Sequence, residues 1–266
     1  MLWIYTLPEW VFGLLCCSVF VLIGILGYFL TRPVVRLLIG PPAGHNKGVD
    51  AVIGAVTLLY GLVLALLAVA VWQQFVAAQN IVASEAAALR SVYRDVDSYD
   101  EPARTVLTDQ LRDYTRIVID VEWPEQQRGI VPTGGIDKLA EFEKSLYTFE
   151  PRSERVRLVD QSAITEFNKM IEFRVMRLNT VASGIPATLW AVLLIGALIT
   201  TLTTYFLQLE PVRTQLTMTS LVTLLVGLVV FMTAVVDHPF RGTRGMSVTP
   251  EAFQLVYDRT MTPSVR

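Results

Sequence analysis

Four long apolar stretches constrain this chain more than any other feature of its sequence. They run from about Trp10–Leu30, Ala51–Trp72, Ile185–Leu209 and Leu216–Val236, and none of them contains Asp, Glu, His, Lys or Arg. A hydrocarbon core about 30 Å thick requires about 20 apolar residues in a helix, and each stretch reaches that length. The sequence therefore predicts an all-α integral membrane protein with four spanning helices.

The charged residues are concentrated between the second and third spans. They make up only 17% of the chain, whereas hydrophobic residues make up 53%. This distribution predicts a helical extramembrane domain at residues 73–180, between transmembrane hairpins at residues 1–72 and 181–240, with a C-terminal tail at residues 241–266. No Lys or Arg precedes the first span, so we expect a retained helix and not a signal peptide.

The middle domain is predicted to be almost wholly helical. Apolar residues recur there at helical spacing, for example at Leu107, Leu111 and Tyr114. Its charged residues, from Glu85 to Glu172, are interpreted as solvated helix faces. The last helix of the domain is predicted to break at residues 183–186, before the third span.

Catalysis and metal binding are not indicated by any pattern in the sequence. The chain has two histidines, His45 and His238, and no Ser-His-Asp, Walker, dinucleotide-binding or zinc pattern. Asp237 and His238 would be a weak metal pair, and a solvated turn is the preferred interpretation. Cys16 and Cys17 are interpreted as packing residues. We expect no enzymatic activity, no cofactor and no metal, and the net charge of −2 offers no surface for nucleic acid.

One face of the second span carries mostly small residues at steps of three or four. It consists of Gly54, Thr57, Gly61, Ala65, Ala68 and Trp72. Small residues let helices approach closely in lipid, so ordinary helix packing is one explanation. The other is that several copies of the chain surround an axis and this face lines a pore. The sequence leaves both open.

A polar stripe continues beyond the second span. It comprises Gln73, Ala77, Asn80, Ser84, Ala88, Ser91 and Asp95. Such a stripe could line the water-filled vestibule of a pore, or it could be the solvated side of an ordinary helix. If it lines a conduit, Gln73 and Asn80 are expected to influence ion selectivity. The threonines of the third and fourth spans are interpreted as helix-packing residues that bond to their own helix.

Several motifs, taken together and in order, resemble the bestrophin-like family of bacterial membrane proteins. They are His45-Asn46, Leu59-Tyr60-Gly61, Val71-Trp72-Gln73, Glu85-Ala86-Ala87-Ala88-Leu89, Glu122-Trp123-Pro124, Arg174, Arg177-Leu178, Ile185-Pro186, Leu189-Trp190 and Asp237-His238-Pro239-Phe240-Arg241-Gly242. This family is in turn distantly similar to the bestrophins. The resemblance therefore implies a ring of subunits, a pentamer, in which the second helix lines an ion pore. It implies an apolar neck at Leu64, Ala65 and Ala68, and anions as the permeant ions.

The same resemblance bears on calcium and on orientation. The turn formed by Asp237, Pro239, Phe240 and Gly242 matches the turn after the last bestrophin span, but no acidic cluster for calcium follows it. Positive residues in the loop between the first two spans favour an external domain. The resemblance instead implies a domain in the cytoplasm and a protein of the inner membrane, and we adopt that orientation.

These observations give one leading hypothesis and one alternative. The leading hypothesis is an oligomeric ion channel with passive permeation, because coupled transporters usually place ionisable residues inside the membrane. The alternative is a non-conducting scaffold or sensor that binds a protein partner through its helical domain. The expected partners of the channel are the lipid bilayer, other copies of the chain and permeant ions.

Overall fold

The computed structural model describes residues 8–39, 47–206, 211–241 and 247–262, and every regular element within these ranges is a helix. In chain order the elements are α1 (Glu9–Ile39), α2 (Lys47–Val96), α3 (Ala103–Ile117), the π-helical turn π1 (Val118–Glu122), α4 (Trp123–Gln127), α5 (Ile136–Thr148), α6 (Glu154–Ala182), α7 (Ala187–Tyr205), α8 (Val212–Val236), α9 (Glu251–Val256) and π2 (Tyr257–Met261).

Four of these helices are long and apolar enough to cross a bilayer. The candidate membrane spans lie within Trp10–Val35 of α1, Ala51–Val96 of α2, Ala187–Tyr205 (α7) and Val212–Val236 (α8). The predicted all-α fold with four spans is confirmed. Helix α2 has 50 residues, which at a rise of 1.5 Å per residue gives roughly 75 Å, far more than a bilayer core requires.

The chain divides into two compact units. The membrane unit comprises Met1–Gln73 and Ile185–Asp237, and the helical domain comprises Gln74–Gly184 and His238–Arg266. Helix α2 therefore contributes residues to both. Helix α6 ends at the cap residue Ser183 and α7 begins after Pro186, so the predicted helix break is confirmed.

In the membrane unit, α1 and α8 approach closely at glycines. A Cβ atom on Gly24 would lie 2.7 Å from the Thr223 side chain, and one on Gly227 would lie 3.2 Å from Phe20. Such contacts are typical of helices that associate without a hydrophobic driving force. Cys16 is buried beside them, as its interpretation as a packing residue requires. The Thr201 hydroxyl donates to the Ala197 carbonyl of its own helix at 2.8 Å, again as expected.

The helical domain has an apolar core of its own. Leu111, Phe142, Phe167 and Met170 are at most 1% exposed. The rings of Phe142 and Phe167 lie 5.3 Å apart and join α5 to α6. Burial of large side chains such as these provides most of the stability of a helical domain.

Candidate functional site

Helix α2 is held in the membrane unit by a narrow contact. Tyr60, Leu64 and Val71 are its buried residues there. The Tyr60 hydroxyl donates a hydrogen bond of 2.6 Å to the Leu193 carbonyl of α7. A Cβ atom on Gly196 would collide with the Tyr60 ring, so the glycine makes room for that ring. Between residues 51 and 73, most of the circumference of α2 is not covered by the part of the chain that the structure describes.

The predicted pore-lining face lies on this uncovered side, with one exception. Gly54, Thr57, Gly61, Ala65, Trp72 and Gln73 are exposed and Ala68 is half-buried. A Cβ atom built on either glycine has no heavy atom within 4 Å. Packing against the described residues of the subunit therefore does not explain these glycines.

Leu64 is the exception, because it packs in the core of the subunit. It is 7% exposed and belongs to the apolar cluster with Cys16, Leu193 and Val226. It follows Tyr60 by one helical turn, and both residues therefore face α7. The prediction that Leu64 lines the pore together with Ala65 is wrong, because the Leu64 side chain is buried in this core.

The predicted vestibule stripe only partly coincides with the exposed face of α2 in the helical domain. Ala77 and Asn80 are exposed, Ser84 and Ser91 are half-buried, and Ala88 and Asp95 are buried. The Asp95 carboxylate accepts a hydrogen bond of 2.7 Å from Ser162 of α6. The prediction is wrong for Ala88 and Asp95, which pack inside the domain.

After Asn80, each exposed residue on this part of α2 lies one position before the residue predicted. The exposed residues form a line along the helix. It comprises Ala77, Asn80, Ala83, Ala87, Arg90 and Arg94. Its steps of three and four residues keep it on one side of the helix. The opposite side is buried through Val82, Leu89 and Val96. The sequence alone did not distinguish this line from its neighbour, because alanines and serines occupy both.

Two ion pairs are buried in the centre of the helical domain. Arg177 of α6 donates to both carboxylate oxygens of Glu85 on α2, at 2.6 and 3.0 Å. Arg174 donates to both carboxylate oxygens of Glu122 on π1, at 2.6 and 2.8 Å. A further bond of 3.3 Å from Arg177 to Glu122 joins the pairs into one charge cluster. At most 4% of each side chain is exposed.

The charge cluster is completed by neutral groups and aromatic rings. The amide of Gly135 donates to Glu122 at 2.9 Å, and the Tyr114 hydroxyl accepts from Arg174 at 3.1 Å. The Arg177 guanidinium carbon lies 5.7 Å from the centroid of the Trp123 ring, a favourable cation–π distance. Buried charges persist only when they are paired and hydrogen-bonded in this way.

The electrostatics of the cluster favour the charged forms of Glu122 and Arg174. Burial tends to raise the pKa of Glu122, but the hydrogen bonds and charge of Arg174 outweigh it and lower that pKa from its ordinary value. Burial likewise tends to lower the pKa of Arg174, and its bonds to Glu122 outweigh that effect and raise the pKa. The interpretation of the charges from Glu85 to Glu172 as solvated helix faces is wrong for Glu85, Asp95 and Glu122, which are buried. The sequence held one sign that the charged groups of the cluster are buried, because they lie between apolar residues of the same helices. Val82 and Leu89 flank Glu85, and Met170 and Val181 flank the two arginines.

The residues of the predicted C-terminal turn serve two structural roles. The Asp237 carboxylate accepts two hydrogen bonds from residues near the start of α7. One comes from the Ile185 amide, just ahead of the helix, at 2.5 Å, and the other from the Trp190 indole, in its first turn, at 3.3 Å. In the helical domain, Phe240 packs edge-on against Trp123 at 5.8 Å, and the Pro239 carbonyl accepts from Val248 at 2.8 Å. Gly242 lies outside the described residues.

Asp237 and His238 are a weak candidate pair for a metal ion. His238 Nδ1 lies 3.2 Å from the Ser183 carbonyl. Within the described ranges, no group of three His, Cys, Asp or Glu side chains is arranged to hold a metal ion. The preferred interpretation of this pair as a turn stays a prediction.

Comparisons with known proteins agree with this architecture. The sequence matches the Bestrophin-like domain over residues 17–253. No curated protein sequence matches the chain. Among solved structures, a mutant of a bacterial bestrophin homologue from Klebsiella pneumoniae superposes with a TM-score of 0.68 at 12% identity, covering 96% of this chain and 98% of that one. Another structure of a Klebsiella pneumoniae bestrophin homologue gives 0.64 at 14% identity, covering 93% and 96%.

A structure described only as a membrane protein is similar to the same extent. It superposes with a TM-score of 0.65 at 12% identity, and the match covers 96% of this chain and 98% of that one. At these identities the structures establish a shared fold. The sequence match, by contrast, spans most of the chain. The protein therefore belongs to the bestrophin-like family of membrane proteins.

Proposed function

We propose that the protein is a homo-oligomeric ion channel whose pore is lined by the exposed face of α2. Membership of the bestrophin-like family and the shared fold support an ion-channel-like function. As the resemblance implies, the proposed ring is a pentamer in the inner membrane, with the helical domain in the cytoplasm and anions as permeant ions.

The observation that carries this proposal is the uncovered, uncharged face of α2 in the membrane unit. A Cβ atom added to Gly54 or Gly61 would meet nothing within 4 Å, although α1 and α8 in the same unit use glycines to pack tightly. A face of this kind is available for symmetric assembly around an axis. With Leu64 in the subunit core, the proposed constriction consists of Ala65, Ala68 and Trp72.

Passive permeation follows from the chemistry of the spans. The uncharged spans supply no carboxylate or imidazole to bind and release a proton or to neutralise a driving ion. Some of their polar groups are used in packing within the subunit: the Thr223 hydroxyl donates to the Thr219 carbonyl of its own helix and the Tyr205 hydroxyl to the Gly24 carbonyl of α1, both at 2.9 Å. An apolar constriction and helix dipoles are then the means by which such a pore controls ions.

Electrical recording from the purified chain in lipid bilayers tests the proposal. We expect discrete currents, and a ring of four or more subunits by native mass spectrometry. Gly61→Phe places a ring on the proposed pore face and should abolish current while the ring mass is unchanged. Leu66→Phe, at an exposed position about 140° from Gly61 around the same helix, is the matched control and should conduct.

Two outcomes would contradict the proposal. A monomer or dimer excludes a pore built from one α2 per subunit. A ring that stays silent across voltage, pH and ion conditions favours the alternative of a scaffold or sensor.

A further inference from the structure

The charges of α2 within the helical domain are segregated by sign. This part of the helix has two carboxylates, Glu85 and Asp95, and both are buried. Its two arginines, Arg90 and Arg94, are exposed. Glu85 is neutralised by Arg177 in the charge cluster, so the outer side of this segment is purely basic.

Arg90 and Arg94 differ from most exposed basic residues of the domain in their partners. On α3, α5 and α6, most exposed basic residues form ion pairs with a carboxylate three positions away, as in Arg116 with Asp113 and Lys169 with Glu166, while Lys144 and Arg155 have no ion pair among the described residues. Among the described residues, Arg90 has no ion pair or hydrogen bond of its side chain. Arg94 approaches Asp95 at 3.5 Å, but its side chain is 74% exposed, whereas Asp95 is turned inward toward Ser162.

The two arginines also share a line with the uncharged residues of the proposed vestibule. Ala77, Asn80, Ala83 and Ala87 precede them on the same exposed side of α2. Arg90 and Arg94 are separated by four residues, or about 6 Å along the helix. That separation is shorter than the Debye length of about 10 Å at 0.1 M salt, so the two charges act on the same volume of solution.

We propose that Arg90 and Arg94 of every subunit form a basic belt that selects anions over cations in the permeation pathway. The inference rests on the proposed function, because only a ring of subunits brings the copies together around an axis. Rings of Arg or Lys select anions by raising their local concentration and depleting cations. Guanidinium groups suit this role because they stay protonated at every physiological pH.

Reversal potentials in a KCl gradient measure the selectivity directly. We expect the unmodified chain to prefer chloride. In Arg90→Gln/Arg94→Gln the chloride-to-potassium permeability ratio should fall roughly three- to tenfold, as expected from losing a potential of about half to one kT that favours chloride and disfavours potassium by the same factor. The matched control is Arg155→Gln, the same chemical change at an exposed arginine of α6, which should leave the ratio unchanged.

Salt dependence and chemical rescue distinguish the belt from a structural effect. The preference for chloride should weaken with rising salt in the unmodified chain, and this dependence should be largely lost in the double variant. In Arg94→Cys, a positively charged thiosulfonate reagent should restore the chloride preference and a negatively charged one should reduce it further. The unmodified chain, treated identically, controls for Cys16 and Cys17.

The possible outcomes separate this inference from the proposed function. Conducting rings whose permeability ratio is the same in the unmodified and double-variant chains would overturn the basic belt while leaving the channel intact. Absence of current from every form would overturn the proposed function and this inference with it. A ratio that changes equally in Arg155→Gln would also overturn the belt, because it would indicate a general surface-charge effect.

Discussion

Replacing Arg177 by methionine should destabilise the helical domain more than any change to a surface ion pair. The substitution removes the two hydrogen bonds to Glu85, the one to Glu122 and the cation–π contact with Trp123. Glu85 would keep only the Tyr114 hydroxyl, 3.4 Å away, as a partner within the cluster. Breaking a buried ion pair on one side costs about 3–5 kcal/mol, because the remaining charge stays buried without compensation.

Hydrogen exchange in the full-length protein in detergent measures this loss locally. Protection factors of slowly exchanging amides in α3 and α6 should fall by roughly two to three and a half powers of ten, since each 1.4 kcal/mol is a factor of ten. Arg157→Met is the control: Arg157 is an exposed residue of α6 paired with Glu154, and its loss should leave protection nearly unchanged.

A double variant tests whether the uncompensated charge is the cause. Glu85→Leu/Arg177→Met removes both members of the pair, while Glu122 keeps Arg174 and the Gly135 amide. The double variant should be about 1–3 kcal/mol more stable than Arg177→Met alone. The reasoning is refuted if the double variant is as unstable as the single one, because lost packing would then explain the whole effect.

Three further predictions concern other contacts. Gly196→Ala should destabilise the membrane unit by roughly 1–3 kcal/mol, because its Cβ would collide with the Tyr60 ring. Gly54→Ala, which meets no such contact, should not destabilise it. Thermal unfolding in detergent compares the two variants, and equal stability would contradict the packing argument. Gly129→Ala should lower the free energy of unfolding of the helical domain by roughly 1–2 kcal/mol, because Gly129 has φ +74 and faces Arg241. Gly134→Ala, whose Cβ would have no contact closer than 3.8 Å, is the control in the same hydrogen-exchange assay. The lowered pKa of Glu122 means that its ionised form stabilises the fold above its ordinary pKa near 4.5, and that this contribution disappears as the pH falls through the lowered value. Thermal unfolding from pH 7 to 3 should therefore depend on pH less steeply in Glu122→Gln, and an identical slope would contradict the assignment.

The spans could be predicted from the sequence because lipid imposes a simple requirement on length and composition. Apolar runs of about 20 residues have few alternatives to a spanning helix. The break between α6 and α7 was predictable for a similar local reason, since Pro186 lacks an amide hydrogen and Gly184 favours non-helical backbone.

The orientation of side chains around α2 was less predictable. Alanine and serine occupy both sides of the helix after Gln73, so periodicity did not distinguish Ser84, Ser91 and their neighbours from the exposed line that ends at Arg94. Contacts with other helices determine which side of α2 is buried. Glu85, for example, is buried in an ion pair with Arg177 of α6. Charged residue types ordinarily indicate solvent, and only their tertiary pairing reverses that expectation.

The π-helical turn has a consequence for how this part of the chain tolerates insertion and deletion. A π-turn accommodates one residue more than an α-turn, and the helix on either side keeps its rotation. Val121 is 46% exposed, whereas Glu122 and Trp123 directly after it are at most 1% exposed. A relative lacking one residue at this point would continue as an ordinary α-helix and still direct its glutamate and tryptophan into the domain. The same deletion inside α6 would rotate everything beyond it by about 100° and separate Arg174 and Arg177 from their carboxylates.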